Sequence, residues 1–242
     1  MTAKKEESSY VKRSDGRKFD EMREMRAEVG VIKNADGSAL FAFGDTVAVA
    51  AVYGPKHLHP QHLQNPQKGI LRCVYDMLSF SVPERKKPGP SRRSQEISKV
   101  TEWALSSTLD LQDFPNTVVD IFITIISANA STRVAGINAA SMALAHAGVP
   151  MKEMVSAVSI GKIDKTLVVD VSKEEEDYEE GESATDIPMA FLSKSGKMSL
   201  LQLDGEIRPE ELKKALKMGK EACKKIYELQ EKALKEKKTG EE

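Results

Sequence analysis

The chain has only two cysteines, Cys73 and Cys223, set 150 positions apart. A pair so placed cannot build a thiolate metal cage, and nothing suggests a disulfide framework. No apolar run reaches the roughly 18 residues that a membrane span requires. The opening stretch Met1-Thr2-Ala3-Lys4-Lys5-Glu6-Glu7 is too polar for a signal peptide. The expectation is a soluble, cytoplasmic protein with no membrane partner. Net charge is also scarce: 36 Lys and Arg face 37 Asp and Glu. A polyanion would therefore have to be met by a local basic patch. Missing motifs exclude further classes. Without a G-x-S-x-G elbow, a Walker A pattern or a dinucleotide fingerprint, serine hydrolases, P-loop ATPases and dehydrogenases lack their required parts. His57, His59 and His62 stand close together, but they lack a metal-ligand spacing and a companion carboxylate motif, so they read as a solvated loop.

What is present is enough for a real core: 242 residues, 40 % of them hydrophobic. Residues 1–28 carry Arg13, Arg17, Arg23 and Arg26 without a sustained apolar period. They read as an arm leading into the fold, or else as a solvated tail. From Val29 the pattern changes to strands at 29–32, 39–43 and 46–52, separated by the turn signals Ala35-Asp36-Gly37-Ser38 and Gly44-Asp45. A strand at 70–75 follows. Ile97, Val100, Trp103, Ala104, Ser107, Thr108 and Leu111 then recur at helical spacing as the buried stripe of an amphipathic helix. Residues 118–126 are almost continuously apolar, which predicts a strand buried on both faces. A small-residue helix from 133 to 146 comes next, then strands at 157–163, 166–171, 187–192 and 198–203. From Pro209 the chain is one long helix.

Three segments could carry chemistry. The first is Ser127-Ala128-Asn129-Ala130-Ser131-Thr132-Arg133, small and polar residues between a buried strand and a helix. A helix start offers unpaired N–H groups and the positive end of the dipole, and Arg133 would add a bidentate fork. Read locally, it is more readily an ordinary Ser/Thr N-cap with a structural arginine. The second is the loop 85–93, with Arg85, Lys86, Lys87, Arg92 and Arg93 giving five positive charges in nine residues. Such a loop can grip a phosphodiester backbone, or it is simply solvated. The third runs from Glu174 to Asp186, eight carboxylates in thirteen residues. Alone it reads as a solvated acidic loop. Crowded carboxylates can, however, keep a proton near neutral pH or attract a divalent cation.

These segments, together with Arg13-Ser14-Asp15-Gly16-Arg17, Asn34-Ala35-Asp36-Gly37-Ser38-Ala39, Phe43-Gly44-Asp45-Thr46, Tyr53-Gly54-Pro55, Pro83-Glu84-Arg85 and Pro90-Ser91-Arg92-Arg93, are co-linear over nearly the whole chain. In this the sequence resembles the RNase PH family, most closely its catalytic subunits in the archaeal exosome. The resemblance implies an α+β, RNase PH-like fold (ribosomal protein S5 domain 2-like) of two pseudo-repeated halves, each a small mixed sheet backed by helices. It implies an N-terminal arm over 1–28 and a single catalytic domain over 29–242, with halves of about 29–115 and 116–242.

By the same resemblance the protein is a phosphorolytic 3′-to-5′ exoribonuclease that releases nucleoside diphosphates and can run in reverse to add nucleotides. Inorganic phosphate is the co-substrate, held by Ala130, Ser131, Thr132, Arg133 and Arg93. Single-stranded RNA is held by Arg85, Arg92 and Arg93. Asp177 and Asp186 match the catalytic acids, with Asp186 able to help hold Mg²⁺. The implied partners are an inactive RNase PH-type sister subunit, in a hexameric ring of three heterodimers, and RNA-binding cap subunits. Two departures stand out. Nine positions separate Asp177 from Asp186 where relatives carry the acids closer together, so Glu180 or Glu182 could replace Asp177, and Ser131 stands where relatives usually have glycine. The rival expectations are a non-catalytic RNA-binding ring subunit, which the retained arginines and Asp186 speak against, and a hydrolytic metal-dependent nuclease, which gives no reason for the Ser131-Thr132-Arg133 turn.

Overall fold

The apolar stretches of the first 127 residues become one five-stranded sheet in the computed structural model, which describes residues 10–178 and 184–240. Its strands are β1 (Met25–Val29), β2 (Gly37–Phe43), β3 (Thr46–His57), β4 (Ile70–Met77) and β5 (Thr117–Ser127), ordered β1-β2-β3-β5-β4. Every pairing is antiparallel except that of β4 with β5. Those two run parallel because the chain crosses between them through α1 (Arg92–Ser106). At the β2–β3 hairpin Phe43 pairs with Thr46, and Gly44 supplies the positive φ, 52°, that so tight a turn needs.

The second sheet contains β6 (Val155–Ile163), β7 (Thr166–Val169), β8 (Thr185–Leu192) and β9 (Met198–Leu201). Its order is β7-β6-β8-β9, antiparallel throughout. Between the sheets lies α2 (Thr132–His146), with twelve of its fifteen residues buried. Burial on all sides is why its sequence shows small residues and no polar face. Small residues also allow close approach: a Cβ added at Gly37 would lie 2.4 Å from the Ala143 carbonyl oxygen. The buried Asn138 side chain ties α2 to β6, donating to the Ala157 carbonyl and accepting from the Ala157 N–H, both at 2.8 Å. α4 (Pro209–Gly240) packs on β6, and the single turn α3 (Lys173–Glu176) follows β7.

Several expectations shift. The first strand is Met25–Val29 rather than 29–32, since Gly30, with φ of 71°, ends it. The arm thus runs into the sheet, and upstream of it Tyr10 and Arg13 are buried. β5, expected to open the second half at residue 116, is an inner strand of the first sheet. It is not covered on both faces either: Phe122 is 41 % and Ile126 39 % exposed. Trp103, expected in the stripe of α1, is 62 % exposed. The buried face is built by Ile97, Val100, Thr101, Ala104 and Leu105, which leaves Trp103 on an outer flank. The helix ends at Ser106, so Ser107, Thr108 and Leu111 belong to the connection.

Candidate active site

Ser131 begins α2 without capping it. Its φ of 55° and ψ of 19° are left-handed, and its side chain makes no capping bond. Instead Oγ donates to the Val171 carbonyl at 3.2 Å and toward Asp170 Oδ1 at 3.4 Å. Ala130 before it also has φ of 55°. Two successive non-glycine residues in this region cost about 1–3 kcal/mol each, so the surroundings must hold them there. The result is a helix start whose first N–H groups meet no side-chain cap among the described residues and sit at the positive end of the dipole. Ala130, Ser131, Thr132 and Arg133 all line one open cleft of about 870 Å³.

The facing wall is built by α1. Ser91 caps that helix reciprocally: the Ser94 N–H donates to Ser91 Oγ at 3.0 Å, and the Ser91 N–H donates to Ser94 Oγ at 2.8 Å. This fixes the turn that carries Arg92 and Arg93, both exposed and both on the cleft. Lys86 joins them there. Arg133 is held across the floor by a small network. It donates through Nη1 to Gln202 and through Nη2 to Glu96 Oε2 at 3.0 Å, while Gln202 Nε2 donates to Glu96 Oε1 at 2.9 Å.

Asp186 enters from β8, its carboxylate accepting from the Ser159 hydroxyl of β6. Its backbone bridges to Asp204, each N–H donating to the other's carbonyl at 2.9 Å. Burial pushes the Asp186 carboxyl above the usual range. The Ser159 hydrogen bond and Arg133 oppose that rise, and the negative charges of Glu176 and Asp204 add to it. A partly buried acid with a raised carboxyl therefore sits in the same cleft as three arginines and an open helix start.

The expected residues do not all converge. Ala130, Ser131, Thr132, Arg133, Arg92, Arg93 and Asp186 share the cleft, whereas Arg85 and Asp177 are not on its lining. Asp177 caps the C-terminal end of α3 and accepts from Lys173 Nζ at 2.6 Å, with its side chain largely exposed. Its neighbours Lys173 and Glu176 reach the cleft in its place. Glu180 and Glu182 lie outside the described residues. Among the described residues, no three His, Cys, Asp or Glu side chains gather as a metal cage.

The sequence reading missed the residues behind the site. Arg13 is buried and pairs with Glu175, donating from Nε at 2.7 Å and from Nη2 at 2.8 Å. Arg23 grips Asp170 with both Nε and Nη2. Thr46, wholly buried, bonds the backbone of Asn129 and Ala130. The arginines of the arm and the Gly44-Asp45-Thr46 turn were visible, but their partners lie so far along the chain that no local pattern joins them.

Residues 21–150 match the family model described as 3′ exoribonuclease family, domain 1, and residues 153–222 match domain 2 of that family. The chain is 51 % identical over 226 residues to the exosome complex component Rrp41 of Thermococcus kodakarensis, covering 93 % of this chain and 89 % of that one. It is 48 % identical over 229 residues to Rrp41 of Methanopyrus kandleri, covering 95 % and 94 %. Among solved structures, rice (Oryza sativa) Rrp46 superposes with a TM-score of 0.79 at 24 % identity, covering 92 % of this chain and 100 % of that chain. A chain of the Archaeoglobus fulgidus exosome with RNA bound to the active site gives 0.76 at 22 % identity, covering 90 % and 92 %. Both likenesses establish the fold.

Proposed function

Because the chain belongs to the RNase PH family of 3′ exoribonucleases, we propose that its cleft performs phosphorolysis, shortening RNA from the 3′ end with inorganic phosphate and releasing nucleoside diphosphates. One observation carries the reading: the uncapped, left-handed start of α2 opens into the same cleft as Arg92, Arg93, Arg133 and Asp186. Water as nucleophile would need no second anion seat beside the one for the RNA backbone, whereas phosphate does. In this reading the N–H groups at Ala130, Ser131 and Thr132, with Arg133, hold the attacking phosphate. Arg92 and Arg93 hold the RNA backbone, and Arg93 shares the phosphate. Arg85, off the cleft lining, acts further out along the RNA path.

An oxygen of inorganic phosphate attacks the last internucleotide phosphorus. The bond from that phosphorus to the 3′ oxygen of the preceding nucleotide breaks, and the leaving oxygen takes a proton. Asp186, whose carboxyl is raised by desolvation, is the acid on the cleft placed to pass that proton. Two anions must meet, so positioning and the arginines' positive charge supply most of the rate enhancement. Where a divalent cation takes the proton's role instead, the ionised Asp186 carboxylate with Asp204 beside it, completed by substrate phosphates, would hold Mg²⁺, which would offset charge on the transferring group. Asp177 keeps a supporting role at most, through its pairing with Lys173. Since the bonds broken and formed are alike, the reverse addition of nucleotides from diphosphates follows.

The relatives' name, exosome complex component, supports a place among exosome subunits. In this reading the chain alternates with an inactive sister subunit in a ring of three heterodimers, beneath RNA-binding cap subunits. A cytoplasmic location goes with it, and two buried, unpaired cysteines fit a reducing compartment. The test is to incubate the assembled protein with 3′-extended RNA with and without inorganic phosphate and to identify the product. Diphosphates released only with phosphate are expected. Monophosphates released without phosphate would overturn the reading, and no product in either condition would favour a non-catalytic RNA-binding subunit.

A further inference from the structure

We propose that Arg23, Asp170 and Thr46 are positioning residues that hold the Asn129-Ala130-Ser131 turn in its strained form and so set the affinity for inorganic phosphate. This rests on the reading of that turn as the phosphate seat. None of the three lines the cleft.

The strain has to be maintained from behind. Thr46 Oγ1 lies 2.9 Å from the Asn129 carbonyl and 2.9 Å from the Ala130 carbonyl, and it accepts from the Asn129 N–H at 2.9 Å. Arg23 Nη1 donates to the same Asn129 carbonyl. Both turn carbonyls are thereby drawn back into the body of the protein. In a trans peptide the N–H points opposite to the carbonyl. Pulling back the carbonyls of Asn129 and Ala130 therefore turns the N–H groups of Ala130 and Ser131 the other way, onto the cleft that these residues line. The hydroxyl of Thr46 and the guanidinium of Arg23 thus aim the donors that would meet an anion.

Asp170 fixes the aim. It is buried and left-handed, with φ of 57°. Its Oδ2 accepts from Arg23 Nε and from the Arg23 backbone N–H, each at 2.8 Å, and its Oδ1 accepts from Arg23 Nη2 at 2.6 Å. That bidentate grip leaves the arginine one orientation. Ser131 Oγ reaches the same carboxylate, so the side chain of the turn is held away from the cleft while its backbone faces it. Residue 23 of the arm, residue 46 of the β2–β3 hairpin and residue 170 after β7 meet behind the turn, off the cleft lining that carries Arg92 and Arg93.

The experiment measures the phosphate KM, kcat and RNA Kd of the assembled enzyme for wild type, Arg23→Lys, Asp170→Asn, Thr46→Val and Thr46→Ser. Misplacing aimed donors should raise the phosphate KM about tenfold in Arg23→Lys, Asp170→Asn and Thr46→Val. RNA Kd should stay within about twofold, and Thr46→Ser, which keeps the hydroxyl, should recover most of the loss. Thr46→Val keeps the bulk of Thr46 and loses only its hydroxyl, which leaves part-buried backbone groups without that partner. Melting curves of both variants therefore accompany the kinetics, so that a raised phosphate KM counts only in protein shown to be folded. An unchanged phosphate KM in Thr46→Val and Asp170→Asn, beside phosphate-dependent wild-type turnover, overturns this proposal alone. Equal losses of phosphate and RNA affinity overturn it as well, since they mark a merely structural role. Wild-type turnover that ignores phosphate overturns the phosphorolytic reading and this proposal with it.

Discussion

Burial raises the Asp186 carboxyl above its ordinary range, and Glu175, more deeply buried, goes the other way. Burial raises Glu175 too, but the Arg13 fork, the Ser172 N–H and the Tyr10 hydroxyl outweigh it and leave the carboxyl lowered. The two acids therefore affect stability with opposite signs. Glu175 contributes stability that is present above the ordinary carboxylate range and is lost as pH falls through its lowered value. Asp186 contributes stability that is present below that range and is lost as pH rises through its raised value. Asp186→Asn should thus cut turnover by about 10²–10⁴-fold, leave RNA binding nearly unchanged, and melt no lower than wild type. Melting curves should favour the variant more at pH 7 than at pH 4, and a large loss of RNA affinity would count against a chemical role. Arg13→Met leaves Glu175 buried without its partner and should cost about 3–5 kcal/mol in urea unfolding. A loss below about 1 kcal/mol would contradict a buried pair.

At the scale of elements, two helix starts do different work. α1 begins with a capping box and presents Arg92 and Arg93, while α2 begins uncapped and strained. If the two arginines each neutralise one RNA phosphate, removing both should weaken RNA binding and flatten its salt dependence. The log–log slope should fall by about 1.4 in the Arg92→Ala, Arg93→Ala double variant, read by titration from 50 to 200 mM salt. An unchanged slope would place the RNA backbone elsewhere.

These helices and strands were legible because their patterns are local: the stripe Ile97, Val100, Ala104 for α1, the apolar run for β5, the small residues for α2. The outer flank of Trp103 was not, since a large aromatic at helical spacing looks the same whether or not a sheet lies over it. Nor was the role of Glu175, one acid in a run of similar ones, singled out only by an arginine 162 positions away. The cleft's arginines, Asp186 and the turn were singled out through co-linear motifs, and they share one cleft. Glu96 and Gln202, which hold Arg133, carry no sequence signal of their own.

For the whole molecule, the two sheets close on α2, and the cleft opens where the start of that helix meets the start of α1 and strands of the second sheet. Residues from nearly every part of the chain contribute, from Arg23 behind the turn to Asp204 past β9. A formal net charge of −1 gives a polyanion no general attraction, so the proposed pull on RNA has to come from a local patch such as Lys86, Arg92 and Arg93 at this opening. If inorganic phosphate is the nucleophile there, it is carried into the product, which is checked by turning over unlabelled RNA with the assembled enzyme in ³²P-labelled inorganic phosphate and locating the label. Nucleoside diphosphates with the label in the β position are expected, one labelled phosphate for each nucleotide released. Nucleotides released without label would contradict phosphate as the nucleophile.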